Sequence, residues 1–326
     1  MRRFLGSEAG AVLLWLVASL LVAAVISPWL YQAGKGFGDW VAAQGYAGTA
    51  GWLGVACQRA PFGRFFKRSM LLAALLLLPL LFRRLRRLRQ PGEPLLPPNT
   101  PMSQSRGACQ ALLGLGLAMA IVAGLGAMLH MLGVFTPYPM VPGAKHLLLQ
   151  VVVPAAAVAL VEEWLFRGLL LGLWLRVARP LTACLGSSLV FAFLHFLSSR
   201  PGAGIAEPST ALAGFRQLAD ILMRFSEPRV VAADFLTLFT VGFILALARM
   251  RTGRLWLSVG MHCGWVIAFK THNLSYMKVP DGPFSPWWIG ESLRSGLLPL
   301  AALGLTAGLC HLVLQRVGYQ ANVNPE

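Results

Sequence analysis

Residues Leu147 to Leu175 read LLLQVVVPAAAVALVEEWLFRGLLLGLWL, and this stretch decides which solvent the chain folds in. Its only ionisable side chains are Glu162, Glu163 and Arg167. A helix rises 1.5 Å per residue, so the run is longer than the roughly 30 Å hydrocarbon layer of a bilayer. It predicts a transmembrane helix. Working outward, similar apolar runs occupy 9–30, 62–82, 107–135, 181–198, 231–249, 255–271 and 296–315. The expected fold is all-α, a polytopic transmembrane helical bundle of about eight spans.

Composition agrees. Of 326 residues 56% are hydrophobic and only 12% charged, with a mean hydropathy of +0.65. Soluble domains carry about 25% charged residues. The net charge of +16 comes from 28 Lys and Arg against 12 Asp and Glu. These cations crowd the ends of apolar runs rather than one face of a soluble domain, so they read as membrane-anchoring flanks and exclude a nucleic-acid partner. The five cysteines are isolated, with no C-x-x-C pair, which excludes a disulfide framework and a cysteine-rich zinc site. Met1-Arg2-Arg3 before Ala9–Leu30 resembles a signal peptide, but the apolar run is too long and lacks an A-x-A site, so it reads as the first anchor.

The expected organisation is 1–106, N-terminal anchor spans with a basic, Pro-rich linker, followed by 107–326, a membrane-embedded domain with its motif core at about 147–270. The linker, 83–106, opens on the basic run Arg83–Arg89 and then carries Pro91, Pro94, Pro97, Pro98 and Pro101, which predict a non-helical loop on the anionic membrane surface. The 199–230 loop predicts one interfacial helix over Thr210–Phe225, with Leu212, Phe215, Leu218, Leu222 and Phe225 at helical spacing. Arg216, Asp220 and Arg224 there are four apart and able to pair. The inner loops hold their Lys and Arg at higher density, which predicts both termini on the cytoplasmic side. His130, His146 and His311 read as interfacial, Asp234 as the N-cap of the sixth span, and Trp287 and Trp288 as an aromatic belt.

Three ionisable groups inside one span are costly, about 2.5–3.5 kcal/mol each. Glu163 and Arg167 are four apart and form a neutral pair; Glu162, rotated by about 100°, cannot share that partner equally. One carboxylate is left over, a candidate general base. His195 and His262 lie in later apolar segments. Each alone is more often a structural histidine on a backbone carbonyl; with Glu162 they form a polar cluster able to hold and activate a water.

These residues carry a resemblance. Glu162, Glu163 and Arg167 match an E-E-x-x-x-R motif, Phe191 and His195 match F-x-x-x-H, and His262 matches part of H-x-x-x-N/D. In that order, on apolar helices, they resemble the CPBP intramembrane proteases, which include the type II CAAX prenyl endopeptidases and the bacteriocin-processing and self-immunity proteins. The resemblance implies glutamate-dependent peptide hydrolysis in a prokaryotic plasma membrane, acting on a membrane-associated protein or peptide of CAAX, bacteriocin or sorting-signal type. Glu162 would activate water, His195 position it, His262 stabilise the oxyanion, and Glu163 and Arg167 support the helix. No metal is required in this reading; were zinc used, Glu162, His195 and His262 would be its ligands.

The chain departs from the pattern at Val266, which has no donor where the family has Asn or Asp. Trp265 is the substitute nearest in sequence, and His272 and Asn273 lie about 15 Å further along the helix. Two alternatives stand beside the peptidase: a non-catalytic immunity or scaffold protein that keeps the fold, and a proton-coupled transporter. The lack of internal repeats and of Gly/Pro-broken paired helices disfavours the transporter.

Overall fold

A computed structural model describes residues 6–88, 104–139, 143–176, 178–196, 205, 207–223, 228–280, 282–285, 287–290 and 292–316. Its helices are α1 (Glu8–Ala43), α2 (Gly48–Arg59), α3 (Phe62–Leu88), α4 (Gln104–Met131), α5 (Ala144–Trp174), α6 (Pro180–Phe196), α7 (Ala213–Met223), α8 (Pro228–Thr252), α9 (Trp256–Ser275) and α10 (Leu297–Arg316). Two short strands, β1 (Phe135–Pro137) and β2 (Tyr276–Lys278), form an antiparallel pair. The all-α bundle expected from the apolar runs is what forms. Among the described residues six helices (α1, α3, α4, α5, α8 and α10) are long and apolar enough to cross a membrane; α6 is shorter but apolar. In each of the six, less than half of the apolar window is buried by protein. Rows such as Leu14, Val17, Leu21 and Val25 on α1 face outward, as lipid-facing positions do.

The chain packs as two units: residues up to Leu95 with His195–Pro228, and Leu96–Leu194 with Arg229–Glu326. In the first, α1 is capped by Ser7, whose hydroxyl accepts from the Gly10 N–H at 3.1 Å. Trp15 reaches across to α3, donating its indole N–H to the Ala74 carbonyl at 3.1 Å. Gly34 lets α3 approach, because a Cβ there would lie 2.4 Å from the Phe65 ring. Helix α7 docks on α1 through Ala213, Gly214, Gln217 and Ile221, and a Cβ on Gly214 would sit 1.9 Å from the Ala24 carbonyl oxygen.

The second unit is built on the pairing of α4 with α9. Gly114, Gly260 and Gly264 line that contact. A Cβ on Gly260 would stand 2.1 Å from the Ala111 carbonyl oxygen and one on Gly264 2.6 Å from that of Leu115. This is small-residue packing of the kind that joins helices in lipid, where there is no hydrophobic drive between them. Around it Leu129, Leu245, Leu257, Met261, Trp265 and Leu303 form the core. The strand pair, in register Phe135↔Lys278, Thr136↔Met277 and Pro137↔Tyr276, ties the end of α4 to the end of α9.

Three expectations are corrected. Arg83–Leu88 are helical, the last turns of α3, because Arg and Leu are strong helix formers and no proline interrupts them; the prolines from Pro91 to Pro101 lie outside the described residues. Asp234 is not an N-cap, since α8 begins at Pro228 and Asp234 falls inside it. The interfacial helix is shorter, Ala213–Met223, and it packs by Ala213, Gly214, Gln217 and Ile221. Phe215, Leu222 and Met223 on it, and Leu212 just before it, are exposed. Arg216 there pairs with Glu207 at 3.7 Å, while Arg224 lies outside the described residues. Helix α2, the strand pair and the π-helical turns of α5 were not anticipated.

Candidate active site

Helix α5 is not uniform. A π-helical turn at Leu148–Val152 precedes α-helix over Val153–Glu163, and a second π-helical stretch covers Trp164–Leu170. The Leu171 N–H bonds back to the Phe166 carbonyl, five residues earlier. Such widened turns are rare and recur at functional sites. Here the change begins at the residue after Glu163.

Within the second unit this helix brings Glu162, Glu163 and Arg167 against Phe191 of α6, Gly242 of α8 and His262 of α9. Arg167 donates from one guanidinium nitrogen to Glu163 Oε1 at 2.8 Å and from the other to the Gly242 carbonyl at 3.1 Å. Its central carbon sits over the Phe191 ring, 4.3 Å from the centroid. The two charged side chains are only 2% and 0% exposed, so the pair is sealed from solvent. The Glu163–Arg167 pair expected from their spacing is therefore present. Gly242 lacks a side chain for a reason: a Cβ there would be 3.1 Å from Ser188 Cα and 3.2 Å from the Phe191 ring.

His262 faces this group because of how α9 is fixed. Gly260 and Gly264 hold one face of α9 against α4, and residue 262 projects about 200° round from Gly260, away from that contact. Its Nδ1 lies 2.8 Å from Glu163 Oε1, the same oxygen that Arg167 bonds. An ionised carboxylate only accepts, so Nδ1 carries the proton. Nε2 then points to Glu162, 3.7 Å from Oε2. That is too long for a direct hydrogen bond. Glu162 is the more open carboxylate, its side chain 24% exposed against 0% for Glu163. Glu163 Oε2 has no hydrogen-bond partner among the described residues.

The histidine–glutamate contact thus runs to both acids, and more closely to the one paired with arginine. The separation of 99 residues hid this from the sequence. Phe191 was noted only as a motif position; it covers Arg167 and stands 6.1 Å from the His262 ring. His195 lies four residues beyond Phe191, on the same face of α6, at the point where the chain passes into the first unit. The second unit by itself assembles Glu162, Glu163, Arg167, Phe191 and His262. Trp265 donates its indole N–H to Thr306 Oγ1 at 3.4 Å, so it turns away from His262 into the core. His272 stacks on Tyr276, 5.0 Å between centroids, beside the strand pair. Val266 packs in an apolar cluster with Val151, Ala155, Ala159, Cys263 and Ile267. Among the described residues no group of three His, Cys, Asp or Glu side chains is placed to hold a metal ion.

Residues 144–268 match the family described as type II CAAX prenyl endopeptidase Rce1-like. The match covers a little under two-fifths of the chain and includes Glu162, Glu163, Arg167, Phe191, His195, His262 and Val266. No curated protein and no solved structure matches the chain.

Proposed function

We propose that this integral membrane protein, whose residues 144–268 are Rce1-like, is an intramembrane endopeptidase in which Glu162 activates water to cleave a peptide bond of a membrane-associated substrate. The observation that supports this most is the pairing of Glu162 with His262 Nε2 across 3.7 Å, behind which Glu163 and Arg167 form a sealed ion pair. Glu162 takes a proton from water as the oxygen attacks the carbonyl carbon. His262 faces the oxygen on which negative charge develops. Glu162 returns the proton to the leaving amine. His195, one turn beyond Phe191, is the further residue the resemblance names, and His195→Ala is assayed beside Glu162→Gln.

The substrate class proposed is a prenylated CAAX peptide, following the family matched. The test is to incubate the protein in proteoliposomes with a farnesylated CAAX peptide in ¹⁸O-labelled water. One ¹⁸O in the new carboxyl group and no product with Glu162→Gln are the expected results. Product at equal rate from Glu162→Gln and wild type would remove the mechanism.

Val266 favours a second reading, a non-catalytic immunity or scaffold protein, because the position one turn beyond His262 is apolar. In that case Glu162→Gln would preserve the cellular phenotype while wild type cleaves nothing.

A further inference from the structure

Two donors converge on one oxygen of Glu163. Arg167 and His262 Nδ1 each approach Oε1 at 2.8 Å, and a carboxylate oxygen has lone pairs for both. Arg167 is itself fixed by the Gly242 carbonyl and the Phe191 face. The chain of contacts from α8 and α6 through Arg167 and Glu163 therefore sets the ring orientation of a histidine on α9. What that orientation leaves is Nε2, 3.7 Å from Glu162.

Resting on the peptidase reading, we propose that Glu163 is a positioning residue which holds His262 by Nδ1, so that its Nε2–H supplies the side-chain hydrogen bond to the oxyanion that Val266 cannot. The valine sits one turn after His262 among Val151, Ala155 and Ile267. The neighbouring indole is committed to Thr306. Both ring nitrogens are used as donors in this arrangement, Nδ1–H to Glu163 and Nε2–H toward the oxyanion.

The reaction balances. Water oxygen bonds to the carbonyl carbon, its proton passes to Glu162, and the carbonyl π pair moves onto the oxygen facing Nε2–H. On collapse the carbonyl reforms, the C–N bond breaks, and the proton on Glu162 goes to the amine. One water and one peptide give one carboxyl and one amine.

Two measurements test this. In ¹⁵N-histidine-labelled protein in nanodiscs, His262 should show both nitrogens protonated, with the Nδ1 proton bonded to a carboxylate and that signature lost in Glu163→Gln. A bare Nδ1 in wild type, or an unchanged signature in the variant, overturns the proposal, and this needs no substrate. In the peptide assay Glu163→Gln should lower kcat about 10²–10³-fold, the scale of losing one oxyanion donor, with KM little changed. In a Val266→Asn background, where a carboxamide shares the oxyanion, the loss should shrink. A wild-type kcat in Glu163→Gln, or an equal loss in both backgrounds, contradicts it. Glu162→Gln run alongside separates the two readings. If that variant cleaves like wild type, the peptidase reading fails; if it is inactive while Glu163→Gln is normal, only the positioning role fails.

Discussion

At the scale of residues, Arg167 shows why the buried charges persist. A guanidinium can bond Glu163 and the Gly242 carbonyl with different nitrogens while its central carbon sits over the Phe191 ring; a lysine ammonium cannot do all three. Arg167→Lys should keep the charge and lose the carbonyl bond and the ring contact, costing about 1–3 kcal/mol. Arg167→Met should cost more, about 3–5 kcal/mol, because Glu163 is left buried without its cation. Denaturation midpoints in detergent check both, and a wild-type midpoint for Arg167→Met would show that the pair does not support the fold. The Glu163–Arg167 pair was readable from spacing alone, since it lies within one helix. The bond from His262 to Glu163 was not, since nothing local says which of two adjacent carboxylates a distant imidazole meets. Trp265 does not replace the missing donor for a similar reason: its partner, Thr306, is on another helix.

At the scale of elements, α9 is placed by what it lacks. Gly260 and Gly264 press it onto α4, and this contact aims His262 at α5. Gly260→Ala should destabilise the protein by about 1–3 kcal/mol through overpacking, and lower peptide cleavage as His262 shifts. Gly116→Ala, on the open side of α4 where a Cβ meets nothing within 4 Å, should leave stability within about 0.5 kcal/mol or raise it slightly. Thermal unfolding of the two variants makes the comparison, and equal losses would dismiss the glycine contact as the positioning device. The apolar runs revealed the spans because a bilayer imposes length and hydropathy on each helix separately. The π-helical turns of α5 left no such trace, since a widened turn depends on neighbours rather than on composition. The apolar run starts near Asp234, yet the helix begins earlier, at Pro228, so Asp234 is not its cap.

At the scale of the whole molecule, six long apolar helices make this an integral membrane protein, and the exposed apolar rows on them are faces for lipid. Both termini are proposed to face the cytoplasm of a prokaryotic plasma membrane, from the density of Lys and Arg in the inner loops. A cytoplasm-dependent fluorescent reporter fused after Glu326 should then be bright, and one silent there but active as a periplasmic enzyme fusion would reverse the orientation. Two units, one built on α1 and α3 and one on α4 and α9, were not legible in the sequence, because the return of residues 195–228 to the first unit is a matter of packing. Glu162, Glu163, Arg167, Phe191 and His262 all fall within residues 144–268, the segment that matches the type II CAAX prenyl endopeptidase Rce1-like family.

In the proposed mechanism Glu162 acts as a base beside His262. Its most direct measurement is the initial rate of farnesylated-peptide cleavage by Glu162→Gln relative to wild type, each shown to be folded by the same unfolding midpoint. The account predicts a loss of at least about 10²-fold, the lower end for removing a general base. A folded Glu162→Gln protein that cleaves at the wild-type rate would contradict it.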